Sequence, residues 1–184
     1  MTTEITVSLQ GMNVFWTLGN DTDADFLQKE MEKLNLLRFA PAKNTDLASL
    51  RIALQKTCAS RRRLVRPLPS GVRGYAVVTE EKDLQGKSLD HSVDFDALLP
   101  KDCSLPVFHD PRTGTVINPP EENNIISRYQ IERNLCSSHS VGIALAKLVD
   151  HMHGVSLRPT GGFYWIPQPK LEKFKDASKA FEAS

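Results

Sequence analysis

The sequence predicts an α+β protein built from two tandem, winged-helix-like units, each of two strands, two helices and a hairpin, and a C-terminal amphipathic helix. Alternating apolar and polar residues mark strands, and apolar residues at i, i+4 and i+7 mark helices. A helix pair followed by a hairpin is the outline of a winged helix. The predicted boundaries are 1–80 for the first unit, 81–104 for a linking loop, 105–167 for the second unit and 168–184 for the last helix.

The first unit begins with two predicted strands. Apolar residues alternate with polar ones over 5–9, Gly11 breaks the run, and 13–18 reads as the second strand. Residues 22–25 fit a capping box that opens a helix, and Asn44 with Thr45 caps the next.

A hairpin and a loop complete the first half. Strand-like runs over 62–68 and 73–79 flank Pro-Ser-Gly at 69–71, a strong turn signal. Residues 81–104 are mostly polar and predict a loop.

The second unit follows the same order. Residues 105–109 and 115–118 flank a turn at 110–114, and a helix is predicted around 122–134. Ser137 or Ser138 caps a helix that Gly154 ends, and its apolar stripe consists of Val141, Leu145, Leu148 and Met152. The last elements are a hairpin at 155–159 and 163–166, around 160–162, and a helix over 168–182.

An internal repeat supports the tandem plan. Segments 52–56 (Ile-Ala-Leu-Gln-Lys) and 143–147 (Ile-Ala-Leu-Ala-Lys) match at four of five positions, and each precedes an Arg-Pro pair and a glycine-aromatic strand. We therefore expect the helices near 45–59 and 139–153 to be equivalent, with Leu54 and Leu145 buried. The alternative is two independent helix-hairpin segments with similar turns.

Composition narrows the classes of function. The chain has 23 basic and 22 acidic residues, so a nucleic-acid role requires a local patch rather than a high net charge. Three cysteines without paired spacing favour a reducing compartment, and neither a signal peptide nor a membrane span is evident. We expect a cytoplasmic protein without a membrane partner. The helix-like run at 175–184 is cut off by the end of the sequence, which leaves open a longer natural chain.

The candidate binding residues are basic. Arginines concentrate in the two predicted hairpins, and lysines follow the second hairpin. The candidate nucleic-acid-binding residues are Arg62, Arg63, Arg66, Arg73, Arg158, Lys170 and Lys173. The alternative is that these charges protect exposed strand edges against pairing.

Catalytic and metal sites are not predicted. Cys136 and His139 precede a helix that carries His151 roughly 18 Å along its axis, too far for one zinc ion. Asp94 and Asp96 point to opposite faces of an extended strand, and no serine or cysteine lies in an activating context. We expect neither enzyme activity nor a cofactor.

The aromatic run 163–165 places Phe163 and Trp165 on one strand face and Tyr164 on the other. We expect Phe163 and Trp165 to pack in the core, which leaves the other face for a base or a partner. The stretch 155–167 resembles a segment of uncharacterised bacterial and phage proteins, and this resemblance implies no activity.

Two functional hypotheses follow. The first is a non-enzymatic module that binds DNA or RNA through an arginine-rich hairpin face. The second is a protein-interaction or adaptor domain that does not bind nucleic acid, and a phage-encoded protein is one version of this hypothesis. The arginine clusters favour the first and the near-neutral charge favours the second.

Overall fold

The computed structural model describes residues 10–19, 21–60, 62–82, 88–159 and 162–184. These residues form two compact units. We call Asn44–Arg133 the continuous unit, because one chain segment forms it. The described residues of 1–43 and 134–184 form the split unit.

The described residues contain both strands and helices, with β3 to β6 consecutive in the chain. The strands are β1 (Gly11–Phe15), β2 (Thr22–Asp23), β3 (Arg63–Pro67), β4 (Gly74–Lys82), β5 (Ser88–Leu98), β6 (Val107–His109), β7 (Leu135–Cys136), β8 (Val155–Ser156) and β9 (Phe163–Pro167). The helices are α1 (Ala24–Lys33), α2 (Asp46–Cys58), α3 (Glu122–Arg133), α4 (Ser138–His151) and α5 (Gln168–Glu182), with a 3₁₀ turn at Leu37–Phe39. In the described part of the chain, no helix combines the length and apolar character needed to cross a bilayer.

The continuous unit is an antiparallel sheet with two helices on one side. Its strand order is β3-β4-β5-β6, and α2 packs against α3. Buried residues from both layers form the core: Leu50, Ala53, Leu54, Cys58, Val77, Phe95, Ala97, Leu99, Phe108, Ile125 and Tyr129. Burial of these apolar side chains is the main stabilising term.

The prediction of a loop over 81–104 is wrong for 88–98, which form β5. The pairing of β4 with β5 shifts between Val77 and Val78, so Asp94 is an extra residue between the partners of these two valines. Phe95 is 3% exposed, whereas Val93 is 38% exposed. In the sequence, Val93, Phe95 and Ala97 do alternate with Asp94 and Asp96, but they stand among mainly polar residues, and this polar composition favoured a loop over a strand.

The split unit combines an antiparallel sheet in the order β1-β9-β8 with α1, α4 and α5. Its main core contains Leu27, Met31, Leu36, Leu148, Val149, Met152, Ile166, Phe174, Ala177 and Ala180. A short pairing of β2 with β7 joins its two chain segments.

The predicted helix starts are confirmed by side-chain caps. Asp23, Thr45 and Ser137 accept hydrogen bonds from backbone N–H groups three residues ahead, at 2.9, 3.2 and 3.1 Å. Each bond satisfies one of the free N–H groups at a helix N-terminus. At the end of α4, His153 rather than Gly154 adopts the left-handed conformation (φ 58°).

The α+β class is confirmed, but winged-helix-like units are not. A helix followed by a hairpin does recur, as α2-β3-β4 and α4-β8-β9, and Leu54 and Leu145 are both buried as expected. However, α2 packs against α3 rather than α1, and α1 packs against α5. An apolar stripe determines that a helix is covered, not which helix covers it.

Gly11 is the first residue of β1, so this strand begins two residues before the predicted 13–18. A Cβ atom at this position would clash with the Ile166 carbonyl oxygen and the Trp165 indole. Glycine therefore permits close approach to β9. The predicted strand over 5–9 and the turn residues 160–161 lie outside the described residues.

Candidate functional site

Strand β9 presents different aromatic side chains on its two sides. Ile166 is 0% exposed, and Tyr164 packs against the same core and stacks on Trp16 with ring centroids 4.9 Å apart. Since side chains alternate along a strand, Phe163 and Trp165 point to the opposite side. The expectation that Phe163 and Trp165 pack in the core is therefore wrong, because the core lies on the side of β9 that carries Tyr164 and Ile166.

The outward side of the sheet is rich in apolar residues. Phe15 pairs with Phe163, and Val155 pairs with Trp165. Phe15 is 76% exposed and Val155 is 55% exposed. Directly paired residues of antiparallel strands share a face, so these four side chains lie on one surface. We call the surface formed by Phe15, Val155, Leu157, Phe163 and Trp165 the aromatic face.

Gly11 shapes one end of the aromatic face. The Trp165 indole lies where a Cβ at Gly11 would be, so the ring rests on the β1 backbone. The missing side chain thus lets a large ring lie against the sheet. Phe163 and Trp165 remain half-buried while their outer surfaces face solvent.

Arg158 brings a positive charge to this face. Its guanidinium carbon lies 5.2 Å from the centroid of the Phe163 ring, within the range of a cation–π contact. The Ser156 hydroxyl donates a 2.6 Å hydrogen bond to the Arg158 carbonyl oxygen, which fixes the backbone there. Among the predicted binding residues, Arg158 therefore lies beside a half-buried ring of the aromatic face.

A second feature of the split unit is a group of cations around His151. One Arg38 terminal nitrogen lies 3.0 and 3.2 Å from the two imidazole nitrogens, and the Phe39 ring lies 4.8 Å from the imidazole. An open cavity of about 530 Å³ is lined by Arg38, Phe39, Lys147, Asp150 and His151. Partial burial lowers the pKa of His151, and the charges of Arg38, Lys173, Lys170 and His153 lower it further. We call Arg38, Lys147, His151, Lys170 and Lys173 the basic cluster.

Comparison with known families gives a match over residues 10–183, nearly the whole chain. The chain belongs to DUF6744, a family of unknown function. Searches of curated proteins and of solved structures found no match.

In this DUF6744 chain the predicted arginines divide between the two units. Arg62, Arg63, Arg66 and Arg73 belong to the continuous unit, whereas Arg158 and the two predicted lysines belong to the split unit. In β3, Arg63 pairs with Thr79 and Arg66 pairs with Ala76, so they lie on opposite sides of the sheet.

Arg63 is engaged by two carboxylates. Its Nε donates to Asp94 Oδ2 at 2.8 Å, and its Nη1 donates to Glu121 Oε1 at 2.7 Å. The hydrogen bond from Arg63 lowers the pKa of Glu121. Arg62, Arg66 and Arg73 are exposed, so the charges available to a partner from this group come from these three.

Two of the three cysteines of the DUF6744 chain, Cys58 and Cys136, are buried. Burial raises the pKa of Cys58 and of Cys136 to about 11, which keeps both thiols protonated at neutral pH. No group of three or more potential metal ligands occurs in the part of the chain that the structure describes.

A cleft of about 470 Å³ also lies in the split unit, between the β1 region, α4 and α5. Its walls are largely apolar, with Trp16, Leu145 and Phe174 among them, and Lys175 and Glu182 also line it. The mixed charges give it no clear preference for one ligand class.

The sequence analysis did not predict four residues of these surfaces. They are Phe15 of the aromatic face and Arg38, Lys147 and His151 of the basic cluster. Phe15 is read as a strand residue, but its exposure depends on which side of β9 is covered. The basic cluster draws on segments that are more than a hundred residues apart in sequence, such as Arg38 and His151. No local motif connects them.

Proposed function

We propose that the split unit of this protein binds single-stranded nucleic acid, with bases stacked on the aromatic face. The observation that supports this proposal is the position of Phe15, Phe163 and Trp165 on the solvent side of a three-stranded sheet. Stacking tolerates any base, because every base has a π-face. We therefore expect little sequence preference.

The energetics favour a ligand for these rings. A Phe or Trp side chain stabilises the folded protein when folding removes it from water. Folding does not remove Phe15 from water, since its side chain is exposed. Contiguous exposed apolar surface on a protein commonly marks an interaction site. Base stacking on an aromatic ring contributes roughly 1–3 kcal/mol per base, which is enough for several rings to retain a strand.

The charge pattern agrees with a nucleic-acid ligand. The chain has a formal net charge of +1, so attraction of phosphates depends on local cations. Arg158 lies directly over Phe163, where its guanidinium can contact a phosphate beside a stacked base. Arg62, Arg66 and Arg73 of the continuous unit remain predicted phosphate contacts.

A protein partner is the second candidate, because Val155 and Leu157 extend the aromatic face with exposed aliphatic side chains. An apolar partner segment would cover all five residues of the face. Such binding would depend weakly on salt, whereas nucleic-acid binding weakens steeply as salt increases.

The test measures fluorescence anisotropy of labelled 12-mers of dT and rU with the full chain at low salt. Substituting Phe15→Ala or Phe163→Ala should weaken binding roughly 5- to 100-fold for both oligomers, the equivalent of one lost stacking contact. Phe26→Ala is the matched control, since Phe26 is also exposed but belongs to α1. Absence of wild-type binding, or an equal loss in Phe26→Ala, contradicts the proposal and favours the adaptor hypothesis.

A further inference from the structure

The basic cluster collects side chains from three elements of the split unit. Arg38 comes from the 3₁₀ turn, Lys147 and His151 from α4, and Lys170 and Lys173 from the start of α5. Arg38 lies 3.0 Å from the His151 imidazole, and Lys147 lines the same cavity. Lys170 and Lys173 are near enough for their charges to lower the pKa of His151. Asp150 is the acidic residue of the cavity lining.

The lysines of α5 differ in how they are neutralised. Lys175 pairs with Glu172 at 2.9 Å, and Lys179 pairs with Asp176 at 3.1 Å. Within the described ranges, no ion pair to a carboxylate is present for Lys170 or Lys173. The first part of the helix thus keeps its positive charges available.

Helix stability does not explain this distribution. The N-terminus of a helix carries a partial positive charge, so cations are unfavourable there and acidic residues are preferred. The first turn of α5 nevertheless contains Lys170 and no acidic residue. Lys170 and Lys173 are three residues apart, so they lie on the same side of the helix. The unneutralised cations at this end of α5 are therefore available to an anionic ligand.

Chain continuity connects the basic cluster with the aromatic face. Strand β9 carries Phe163 and Trp165 and ends at Pro167, which is also the N-cap residue of α5. Lys170 follows Trp165 by five residues. The two surfaces therefore share the β9–α5 junction.

We propose that the basic cluster binds the phosphodiester backbone of the nucleic-acid strand whose bases stack on the aromatic face. This inference rests on the proposed function and assigns Arg38, Lys147, Lys170 and Lys173 to phosphate contacts. The aromatic face supplies base stacking and the basic cluster supplies the salt-dependent part of the affinity. The double variant Lys170→Gln/Lys173→Gln removes two of the four fully charged groups.

The experiment compares two double variants of equal charge change on one helix. Lys170→Gln/Lys173→Gln should weaken binding of a dT 12-mer several-fold and reduce the slope of log K against log salt by roughly 1–1.5 units. Lys175→Gln/Lys179→Gln should leave the slope unchanged, because those lysines are already neutralised. Thermal unfolding by circular dichroism checks that both variants are folded.

Two outcomes separate this inference from the proposed function. Equal salt slopes for the two variants, with binding still weakened by Phe163→Ala, overturn the phosphate assignment and leave base stacking in place. A second probe, inorganic polyphosphate, has phosphates but no bases. Polyphosphate binding that depends on Lys170 and Lys173 but not on Phe163 supports the phosphate assignment when the oligomers also bind. If polyphosphate binds and the oligomers do not, the cluster is an anion site and its assignment to a nucleic-acid backbone is overturned.

Discussion

The phenylalanines of the two main sheets differ in their position, because they lie on the helix-covered side in the continuous unit and on the open side in the split unit. In the continuous unit, Phe95 and Phe108 are buried and meet edge to face at 5.7 Å on the side covered by α2 and α3. The other side of that sheet carries Arg66, Ala76, Asp96 and His109 in one cross-strand row. In the split unit, Phe15, Phe163 and Trp165 lie on the open side.

This difference separates aromatic residues that stabilise the fold from aromatic residues that are available to a ligand. Rings covered by helices contribute through burial and packing. Rings on the open side of β1 and β9 contribute less to folding, because water already contacts them. The contrast therefore points to the split unit as the binding unit and to the core of the continuous unit as a structural element.

The largest expected effect tests this contrast directly. Phe95→Ala should lower the free energy of unfolding by about 3–5 kcal/mol, the usual cost of removing a buried phenylalanine. Phe163→Ala should lower it by only about 1 kcal/mol, since the ring is half-buried and carries a cation–π contact. Urea denaturation followed by circular dichroism measures both. Similar losses would show that Phe163 belongs to a core.

The leucine cores of the two units should respond alike. Leu54→Ala in the continuous unit and Leu145→Ala in the split unit should each cost about 2–5 kcal/mol of unfolding free energy, because each leaves a cavity. Leu157→Ala on the aromatic face is the control, with an expected cost of about 0.5 kcal/mol or less. Both tryptophans, Trp16 and Trp165, belong to the split unit, so their fluorescence reports on that unit. Unchanged stability in Leu54→Ala or Leu145→Ala contradicts the assigned burial.

Two arginines of β3 sharpen the comparison of sheet sides. Arg63→Gln should destabilise the protein by about 1–2 kcal/mol, because Asp94 and Glu121 lose a partly buried partner. Arg66→Gln, on the opposite side, should change stability by about 0.5 kcal/mol or less. Chemical denaturation at pH 7 compares the two variants.

The pH dependence of stability provides a further check on the Arg63 contact. Because Arg63 lowers the pKa of Glu121 in the folded state, the carboxylate stabilises the protein above its unfolded pKa. That stability is lost as the pH falls from about 5 to about 3. Arg63→Gln should therefore lose less stability than the wild type over this range. If the free energies of unfolding of Arg63→Gln and of the wild type fall equally over this pH range, the contact does not persist in solution.

The smallest expected effect concerns Asp96. Its Oδ1 is buried without a hydrogen-bond partner, and burial raises the pKa of the carboxyl group while His109 opposes the shift. A raised folded pKa means that the ionised form destabilises the protein at neutral pH, and that this cost is relieved as the pH falls. Asp96→Asn should raise stability at pH 7 by about 1 kcal/mol or less, and the gain should vanish near pH 3. A destabilised variant at pH 7 would indicate that Asp96 has a partner in solution.

Local features of the fold were accessible from the sequence. Asp23, Thr45 and Ser137 lie in the segments predicted to cap helices, since the short polar side chain acts within its own turn. Gly71 has φ 93° in the predicted turn between β3 and β4, a conformation that glycine adopts without strain. By contrast, the prediction missed β5 because its short alternating run, Val93 to Ala97, lies within a mainly polar segment, and only its pairing with β4 identifies the strand.

The sequence by itself determined the helices, two of the hairpins and the concentration of basic residues around 62–73 and 158–173, because caps, turns and charges act over a few residues. Only the tertiary structure decided which side of β9 is covered. Phe163, Tyr164, Trp165 and Ile166 are all apolar or aromatic, so alternation alone does not distinguish a core side from an exposed side. Contacts with distant residues such as Trp16 and Phe174 bury Ile166 and cover Tyr164 in part, and they leave Phe163 and Trp165 half-buried on the opposite side.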